Sequence, residues 1–381
     1  HRAKKRDQIA PAFFSRDLTV SVGWAPLGLS FFTFQQLWLL KESASGAFSP
    51  PGPLTADALA LHGLFFPTVS SGPILRPDAF FPQTADGHFL RPDWTDRAQG
   101  LYALCFGMAK KVLLADPLGA VVNSGYAQAG ELTAPAAWLV ILGYTLQLYF
   151  DFSGYCDIAA GSARLLGVRL PVNFDSPYRS LSVTEFWKRW HMTLTSFLRE
   201  NVYFPLGGSR KGKGRTYLNI LLVYLVSGIW HGAGWTFILW GMLHGLAQVL
   251  ERLWGKSRDA LPKWLRWAVT FLFINIAWVF FRAPDLSAAF ALLKTAVAGG
   301  IGGIPLWLAK GLTALPFHAV HFDNRYLIYW MLYTYAAFIG CAVTEDKRRK
   351  YAAAAVLSAL MLAVSVWLGG QRYGSMGAMA L

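Results

Sequence analysis

A histidine between two apolar segments is the residue of this sequence best suited to chemistry. His231 stands in Trp230-His-Gly-Ala-Gly-Trp235, and Gly228 lies one helical turn before it. Ionisable groups inside membranes are costly and usually functional, and a neutral imidazole is a natural general base for a hydroxyl group. The glycines predict open space beside the imidazole, which a substrate could occupy. The alternative is a histidine that caps a helix break through hydrogen bonds.

A second histidine lies in Glu185-Phe-Trp-Lys-Arg-Trp-His-Met-Thr-Leu-Thr195. Glu185 and Arg189 are spaced i, i+4, as are Trp187 and His191, so each pair is predicted to share one helix face. Two interpretations stay open. The segment is either a helix at the membrane interface with an ordinary ion pair, or it carries a functional imidazole.

Two carboxylates stand at the end of an apolar run, in Tyr149-Phe-Asp-Phe-Ser-Gly-Tyr-Cys-Asp157. Asp151 and Asp157 are six residues apart and point to different helix faces, which argues against a paired acid-base device. We expect them to hold a break near the membrane interface or to orient other groups.

Nucleotide hydrolysis and metal chemistry are not predicted. The segment Gly207–Gly214 spells G-x-x-x-x-G-K, but Gly214 replaces the Ser or Thr that would bind magnesium, and no strand precedes it. We interpret it as a cytoplasmic anchor, with contact to donor phosphates as the alternative. His318, His321 and Asp323 are too few ligands for a metal site. We therefore predict no bound metal or cofactor.

The composition indicates an integral membrane protein that is all-α. Hydrophobic residues make up 54% of the 381 residues, charged residues only 15%, and the mean hydropathy is +0.35. A soluble protein of this size needs more charged surface. The 16 Trp and 15 Tyr suit aromatic rings at lipid interfaces. We predict a single membrane domain over residues 1–381, with its motif core at 149–250.

The positive charge fits membrane topology better than nucleic-acid binding. The net charge is +14, and the basic residues fall between apolar runs, as in Lys110-Lys111, Arg210–Arg215 and Arg252–Arg266. Cytoplasmic loops of membrane proteins carry this excess of Lys and Arg. The chain opens without Met on a basic segment, so we expect earlier membrane helices in the full protein.

Apolar segments long enough to approach a bilayer span recur along the chain, since a span needs about 20 residues. Leu59–Leu75 is broken by Gly and Pro and is predicted to be re-entrant, whereas Val172–Arg199 is predicted to be an interfacial helix or a buried polar one. The predicted spans are Leu18–Leu40, Gln99–Val122, Ala136–Ala160, Tyr217–Trp230, Trp235–Leu250, Trp267–Phe281, Tyr326–Val343 and Tyr351–Leu368.

The two segments that flank His231 set its depth. Tyr217–Trp230 and Trp235–Leu250 are each about 15 residues, or about 23 Å long, which is shorter than a hydrocarbon core of about 30 Å. Their basic outer ends, Arg210–Arg215 and Arg252–Arg266, are both predicted to face the cytoplasm. The joint is then inside the membrane or near its far face.

Several ordered motifs resemble the membrane-bound O-acyltransferase (MBOAT) family, in its bacterial branch of alginate O-acetylation and teichoic-acid D-alanylation proteins. The resemblance runs from about Leu27 to Phe281 and is stronger toward the alginate-acetylation members. The motifs are Leu27-Gly-Leu-Ser-Phe-Phe-Thr-Phe-Gln35, Ser71-Gly-Pro-Ile74, Tyr149-Phe-Asp-Phe-Ser-Gly-Tyr155, Asn173-Phe-Asp-Ser-Pro-Tyr178, Phe186-Trp-Lys-Arg-Trp-His191, Tyr203-Phe-Pro-Leu-Gly-Gly-Ser-Arg210 and Ser227-Gly-Ile-Trp-His-Gly-Ala-Gly-Trp235.

The resemblance implies a ring of tilted and re-entrant transmembrane helices around a central funnel, in the bacterial inner membrane. His231 matches the family's catalytic histidine and His191 its second functional histidine. It further implies acetyl-CoA as donor substrate, a polysaccharide acceptor and a periplasmic acetyltransferase partner. Candidate substrate-channel or acyl-channel residues are Trp187, Arg189, Glu185, Asp151 and Trp230.

Two other functions stay open at this point. One is D-alanyl transfer from a carrier protein to teichoic acid. The other, of a different class, is a transporter or flippase for a lipid-linked sugar, which predicts inverted repeats. The sequence shows no such repeat.

Overall fold

The computed structural model describes residues 28–85, 89 and 93–303, and in these ranges the regular structure is entirely helical. The all-α prediction is thereby confirmed for the described part. The predicted spans Tyr326–Val343 and Tyr351–Leu368 lie outside the described residues, as do His318 and His321. The helices are α1 Leu29–Ala44, α2 Ala56–Gly63, α3 Phe66–Val69, α4 Pro77–Ala85, α5 Trp94–Ala109, α6 Asp116–Ala127, α7 Ala134–Leu165, α8 Val183–Arg189, α9 Met192–Leu198, α10 Lys213–His231, α11 Trp235–Trp254, α12 Lys263–Arg282 and α13 Leu286–Ala298.

Among the helices that the structure describes, α12 has the length and composition of a membrane span. It has 20 residues and a mean hydropathy of 1.6 over its most apolar window. No other helix within residues 28–85 and 93–303 meets both conditions. The multi-pass ring of helices therefore stays a prediction.

The predicted span Gln99–Val122 is helical but is not a uniform α-helix. Helical backbone runs without interruption from Trp94 to Ala127, and Lys110–Ala115 forms a π-helical segment within it. This segment packs along α7, where Gly107 and Gly154 bring the two backbones together: a Cβ on Gly107 would lie 2.5 Å from the Gly154 carbonyl oxygen. π-helical turns are rare in proteins, and those that do occur are often found at functional sites.

Helices α10 and α11 form the hairpin that carries His231. They have 19 and 20 residues, so each is about 29 Å long rather than the predicted 23 Å or so, because both continue into their basic flanks. The hairpin is tight because Gly228 faces α11: a Cβ there would lie 2.6 Å from the Phe237 carbonyl oxygen. Two glycines, Gly241 and Gly228, meet at this crossing.

Most of Val172–Arg199 is buried or half-buried within the protein, which agrees with the alternative of a buried segment, whereas its position relative to the membrane stays a prediction. The segment is not one helix but two short helices, α8 and α9, which are separated at Trp190 and His191. Its aromatic side chains are buried in the main core, where Phe186 and Trp190 stack on each other and Trp190 packs against Trp278 of α12. Burial of this apolar surface holds the break in place.

Candidate active site

The N-terminus of α8 is fixed by side chains that satisfy its free backbone N–H groups. Ser182 is the N-cap, and its Oγ accepts from the N–H of Glu185 at 3.0 Å. Glu251 of α11 accepts from the N–H of Val183 at 2.5 Å and from that of Thr184 at 3.0 Å. An acidic side chain at this end also complements the helix dipole. Helix α11 therefore fixes the start of the segment that leads to His191.

The backbone at His191 is left-handed. Its φ is 43° and ψ is 54°, a conformation that non-glycine residues rarely adopt. The loop before α8 braces it, since the N–H of Asp175 donates to Arg189 O at 2.9 Å and the N–H of Met192 donates to Asn173 O at 3.0 Å. Such conformations persist only where surrounding structure enforces them, and they cluster at active sites.

The predicted ion pair in this segment is confirmed, but the predicted pairing of Trp187 with His191 is wrong. Arg189 Nε donates to Glu185 Oε1 at 3.0 Å. Because α8 ends at Arg189, His191 does not lie on the Trp187 face. Trp187 Nε1 instead donates to Nδ1 of the buried His244 at 3.1 Å. The sequence did not indicate His244 as this partner.

His191 is buried, with 2% of its surface exposed. Its Nδ1 lies 3.2 Å from Asn173 Oδ1. The ring packs edge-on against Phe152 at a centroid distance of 4.7 Å and lies parallel to Phe31 at 6.2 Å. Nε2 is also buried and has no hydrogen-bond partner within the described part of the chain. A histidine nitrogen in this position is available to a ligand.

His231 ends α10 in an aromatic enclosure. Its ring lies 4.6 Å from that of Trp230 and 5.0 Å from those of Trp240 and Phe281. No hydrogen bond to its side chain occurs within residues 28–85 and 93–303, so the structure does not show the capping alternative. The side chain is half-buried. The imidazole is therefore shaped by ring contacts and keeps both nitrogens free of described protein partners.

The prediction that the glycines leave open space beside His231 is wrong. A Cβ on Gly232 would lie 2.6 Å from the Phe237 ring, and one on Gly228 would meet the Phe237 carbonyl oxygen at the same distance. These glycines are needed for the close approach of α11, which brings Trp240 against the imidazole.

Trp230 connects the two histidines. Its ring contacts His231 at 4.6 Å and lies 6.5 Å from the ring of His191, which comes from another helix. Phe31 and Phe34 of α1 cover its other side at 5.5 and 5.2 Å. The structure thus brings together three of the predicted site residues: His231, His191 and Trp230.

The remaining predicted site residues lie outside this group. Trp187 contacts Trp240 at 5.8 Å and so stands behind the ring that touches His231. Arg189 pairs with Glu185 and, at 3.0 Å, with Asp175. Asp151 is bound to Lys111 at 2.6 Å. None of these contacts involves His231 or His191.

The carboxylates of α7 hold the π-helical segment. Asp151 pairs with Lys111 Nζ and Asp157 with Lys110 Nζ, each at 2.6 Å, which agrees with the predicted structural role. The two carboxylates are six residues apart on α7, yet they pair with adjacent lysines of the π-helical segment. In the described ranges, no group of three or more His, Cys, Asp or Glu is placed to hold a metal ion.

A family model described as MBOAT, membrane-bound O-acyltransferase family, matches residues 31–283, which include every residue of the site. The chain belongs to this family. The resemblance in its motifs is thereby confirmed, and family membership makes it an integral membrane protein. The family is described as one of acyltransferases, which favours that class of function over the flippase alternative.

The MBOAT chain is similar to curated proteins named for O-acetylation and D-alanylation. It is 40% identical over 307 residues to the peptidoglycan O-acetyltransferase of Helicobacter pylori, covering 74% of this chain and 58% of that protein. It is 38% identical over 278 residues to the probable alginate O-acetylase AlgI of Pseudomonas aeruginosa, covering 72% and 52%. The teichoic acid D-alanyltransferase of Bacillus subtilis is 28% identical over 284 residues, with 67% and 68% covered. The chain spans a little over half the length of the two acetylation relatives.

Proposed function

We propose that this protein is an O-acetyltransferase that moves an acetyl group from a cytoplasmic thioester, acetyl-CoA, toward acetylation of a cell-envelope polysaccharide. The family and the relatives named as O-acetylating proteins support this activity. The observation that carries the assignment of the site is the contact chain His231–Trp230–His191, which brings the C-terminus of α10 to the break between α8 and α9.

His231 is the proposed general base. It takes the proton of the acceptor hydroxyl as the oxygen attacks the thioester carbonyl carbon. The new C–O ester bond forms, the C–S bond breaks, and the proton passes to the leaving thiolate. Proton transfer of this kind contributes roughly 10²–10⁴-fold to the rate. The aromatic rings of Trp240 and Phe281 around the imidazole keep water from competing for the acetyl group.

The same relatives suggest the membrane, the partner and the acceptor of the proposed reaction. We place the protein in the bacterial cytoplasmic membrane, with the donor on the cytoplasmic side and a periplasmic acetyltransferase partner receiving the acetyl group for an alginate-like or cellulose-like exopolysaccharide. The peptidoglycan relative adds a second kind of glycan acceptor. All of these acceptors offer the sugar hydroxyl that the proposed chemistry requires.

A donor competition tests the acetyl assignment. Full-length protein in proteoliposomes is given radiolabelled acetyl-CoA or a carrier-bound D-alanyl thioester. We expect the protein to consume acetyl-CoA and to leave the carrier-bound D-alanyl thioester intact. Turnover of the D-alanyl thioester alone would support the second candidate, D-alanyl transfer, which the Bacillus subtilis relative favours.

A further inference from the structure

The amide of Asn173 is oriented without ambiguity. The N–H of Thr193 donates to Asn173 Oδ1 at 3.1 Å, and Thr193 Oγ1 lies 2.9 Å from the same atom. A backbone N–H can only donate, so the atom that receives it must be the amide oxygen. The amide nitrogen then faces Cys156, to which Nδ2 donates at 3.3 Å.

This orientation decides where the proton of His191 sits. Asn173 Oδ1 has no hydrogen to give, so His191 Nδ1, at 3.2 Å, must be the donor. A neutral imidazole carries a single N–H. Nε2 therefore holds the lone pair and can only accept a hydrogen bond.

In the rings of His191 and Trp230, one buried hydrogen-bond acceptor and one buried donor have no hydrogen-bond partner among the described residues. The acceptor is Nε2 of His191, and the donor is Nε1 of Trp230. Their rings lie 6.5 Å apart. A hydroxyl group, which both donates and accepts, is complementary to this pair. Leaving such buried atoms without a hydrogen-bond partner is unfavourable, which favours occupation by a ligand.

We propose that Asn173 is a positioning residue that holds His191 in the Nδ1–H tautomer, so that Nε2 presents its lone pair to an O–H group of the substrate. The identity of that substrate rests on the proposed function, whereas the tautomer does not. His191 thereby differs from His231, whose nitrogens no described residue constrains. His191 then binds a substrate hydroxyl as a hydrogen-bond acceptor, while His231 remains the proposed general base.

Nitrogen-15 NMR of full-length protein in nanodiscs tests the tautomer directly. Histidines are labelled at both ring nitrogens, and the His191 signals are assigned by their loss in His191→Gln. We expect a protonated Nδ1 and an unprotonated Nε2 in the wild type. The opposite tautomer would overturn the proposal, whether or not the preparation transfers acetyl groups.

Substitutions at Asn173 separate positioning from general stability. Asn173→Leu removes the acceptor and is expected to lower kcat by roughly 10–100-fold, by analogy with the loss of groups that orient metal-bound histidines. Asn173→Asp keeps an acceptor oxygen and is expected to restore most of kcat. Cys156→Ala is the matched control, because it removes the other contact of the amide and leaves Oδ1 in place. A wild-type kcat in Asn173→Leu would contradict the proposal. So would a kcat of Asn173→Asp that is no higher than that of Asn173→Leu.

Discussion

At the scale of residues, the site is built from ring contacts and a few directed hydrogen bonds. The bond from Trp187 Nε1 to His244 Nδ1 is one of them, and it lies in a fully buried cluster with Trp240 and Trp278. A buried acceptor that loses its donor is costly because water cannot replace it. This bond stabilises the layer behind His231 rather than the reacting groups.

Trp187→Phe tests that role. The substitution keeps most of the ring and removes the N–H, so we expect a loss of about 1–3 kcal/mol in unfolding free energy. Denaturant unfolding in detergent measures it. Trp254→Phe is the control, because Trp254 is 54% exposed. Equal stability of the two variants would show that the bond to His244 contributes nothing.

Spacing in the sequence predicted some of these contacts and missed others for a definite reason. The i, i+4 rule places Glu185 beside Arg189 correctly because both lie within α8. It fails for Trp187 and His191 because the helix ends between them, at a left-handed histidine. Sequence periodicity carries no signal for that conformation. Asn173 was visible only as part of a motif, since its contact with His191 is made across a loop.

At the scale of elements, the α10–α11 hairpin positions His231, and its glycines set the distance between the helices. A methyl group at Gly228 would lie 2.6 Å from the Phe237 carbonyl oxygen, so backbone must move. At Gly214, near the start of α10, a methyl group would meet nothing within 4 Å.

The substitutions Gly228→Ala and Gly214→Ala form a matched pair. We expect Gly228→Ala to lower stability by about 1–3 kcal/mol through overpacking and to reduce acetyl transfer, because the hairpin that holds His231 must open. Gly214→Ala is expected to be neutral or to stabilise α10 by up to about 1 kcal/mol. Thermal unfolding and acetyl transfer are measured on both. Full activity in Gly228→Ala would show that the close approach is not needed.

A second element-scale prediction concerns Glu251, which holds the start of α8 from α11. Glu251→Gln keeps one oxygen but loses the charge at the helix N-terminus, and we expect a loss of about 0.5–2 kcal/mol with a lower kcat. Glu131→Gln, at an exposed position, is the control. If both variants unfold at the same denaturant concentration, Glu251 does not anchor α8.

Apolar runs predicted where helices occur, and they did so for α7, α10, α11 and α12. Helix ends were less accurate, because α10 and α11 extend into charged flanks that hydropathy excludes. The π-helical segment at Lys110–Ala115 and the break inside Val172–Arg199 were not predicted. Both depend on contacts with α7 and α12 that local sequence does not contain.

At the scale of the whole molecule, charge predicts orientation. The outer ends of α10 and α11 carry Arg210–Arg215 and Arg252–Arg266, while the joint between them is uncharged apart from His231. The positive-inside rule places the basic ends in the cytoplasm and the joint toward the opposite face. Donor and acceptor would then approach His231 from opposite sides.

Single-cysteine labelling tests this topology. In a background without Cys105, Cys156 and Cys341, Ser209→Cys marks the basic end and Ala233→Cys the joint. We expect a membrane-impermeant maleimide outside spheroplasts to label Ala233→Cys and not Ser209→Cys. Labelling of Ser209→Cys in intact spheroplasts would reverse the orientation and remove the cytoplasmic donor from the mechanism.

The central claim is that His231 carries acetyl transfer, and one measurement tests it most directly. Wild-type, His231→Ala and His62→Gln proteins, matched for folded amount by size-exclusion chromatography, are reconstituted and given radiolabelled acetyl-CoA. His62 is the control because it is a buried histidine whose ring packs on Phe80 and Phe81 rather than on either site histidine. We expect His231→Ala to lose at least about 10²-fold in transfer rate, with His62→Gln near wild type. Full transfer by His231→Ala would contradict the account.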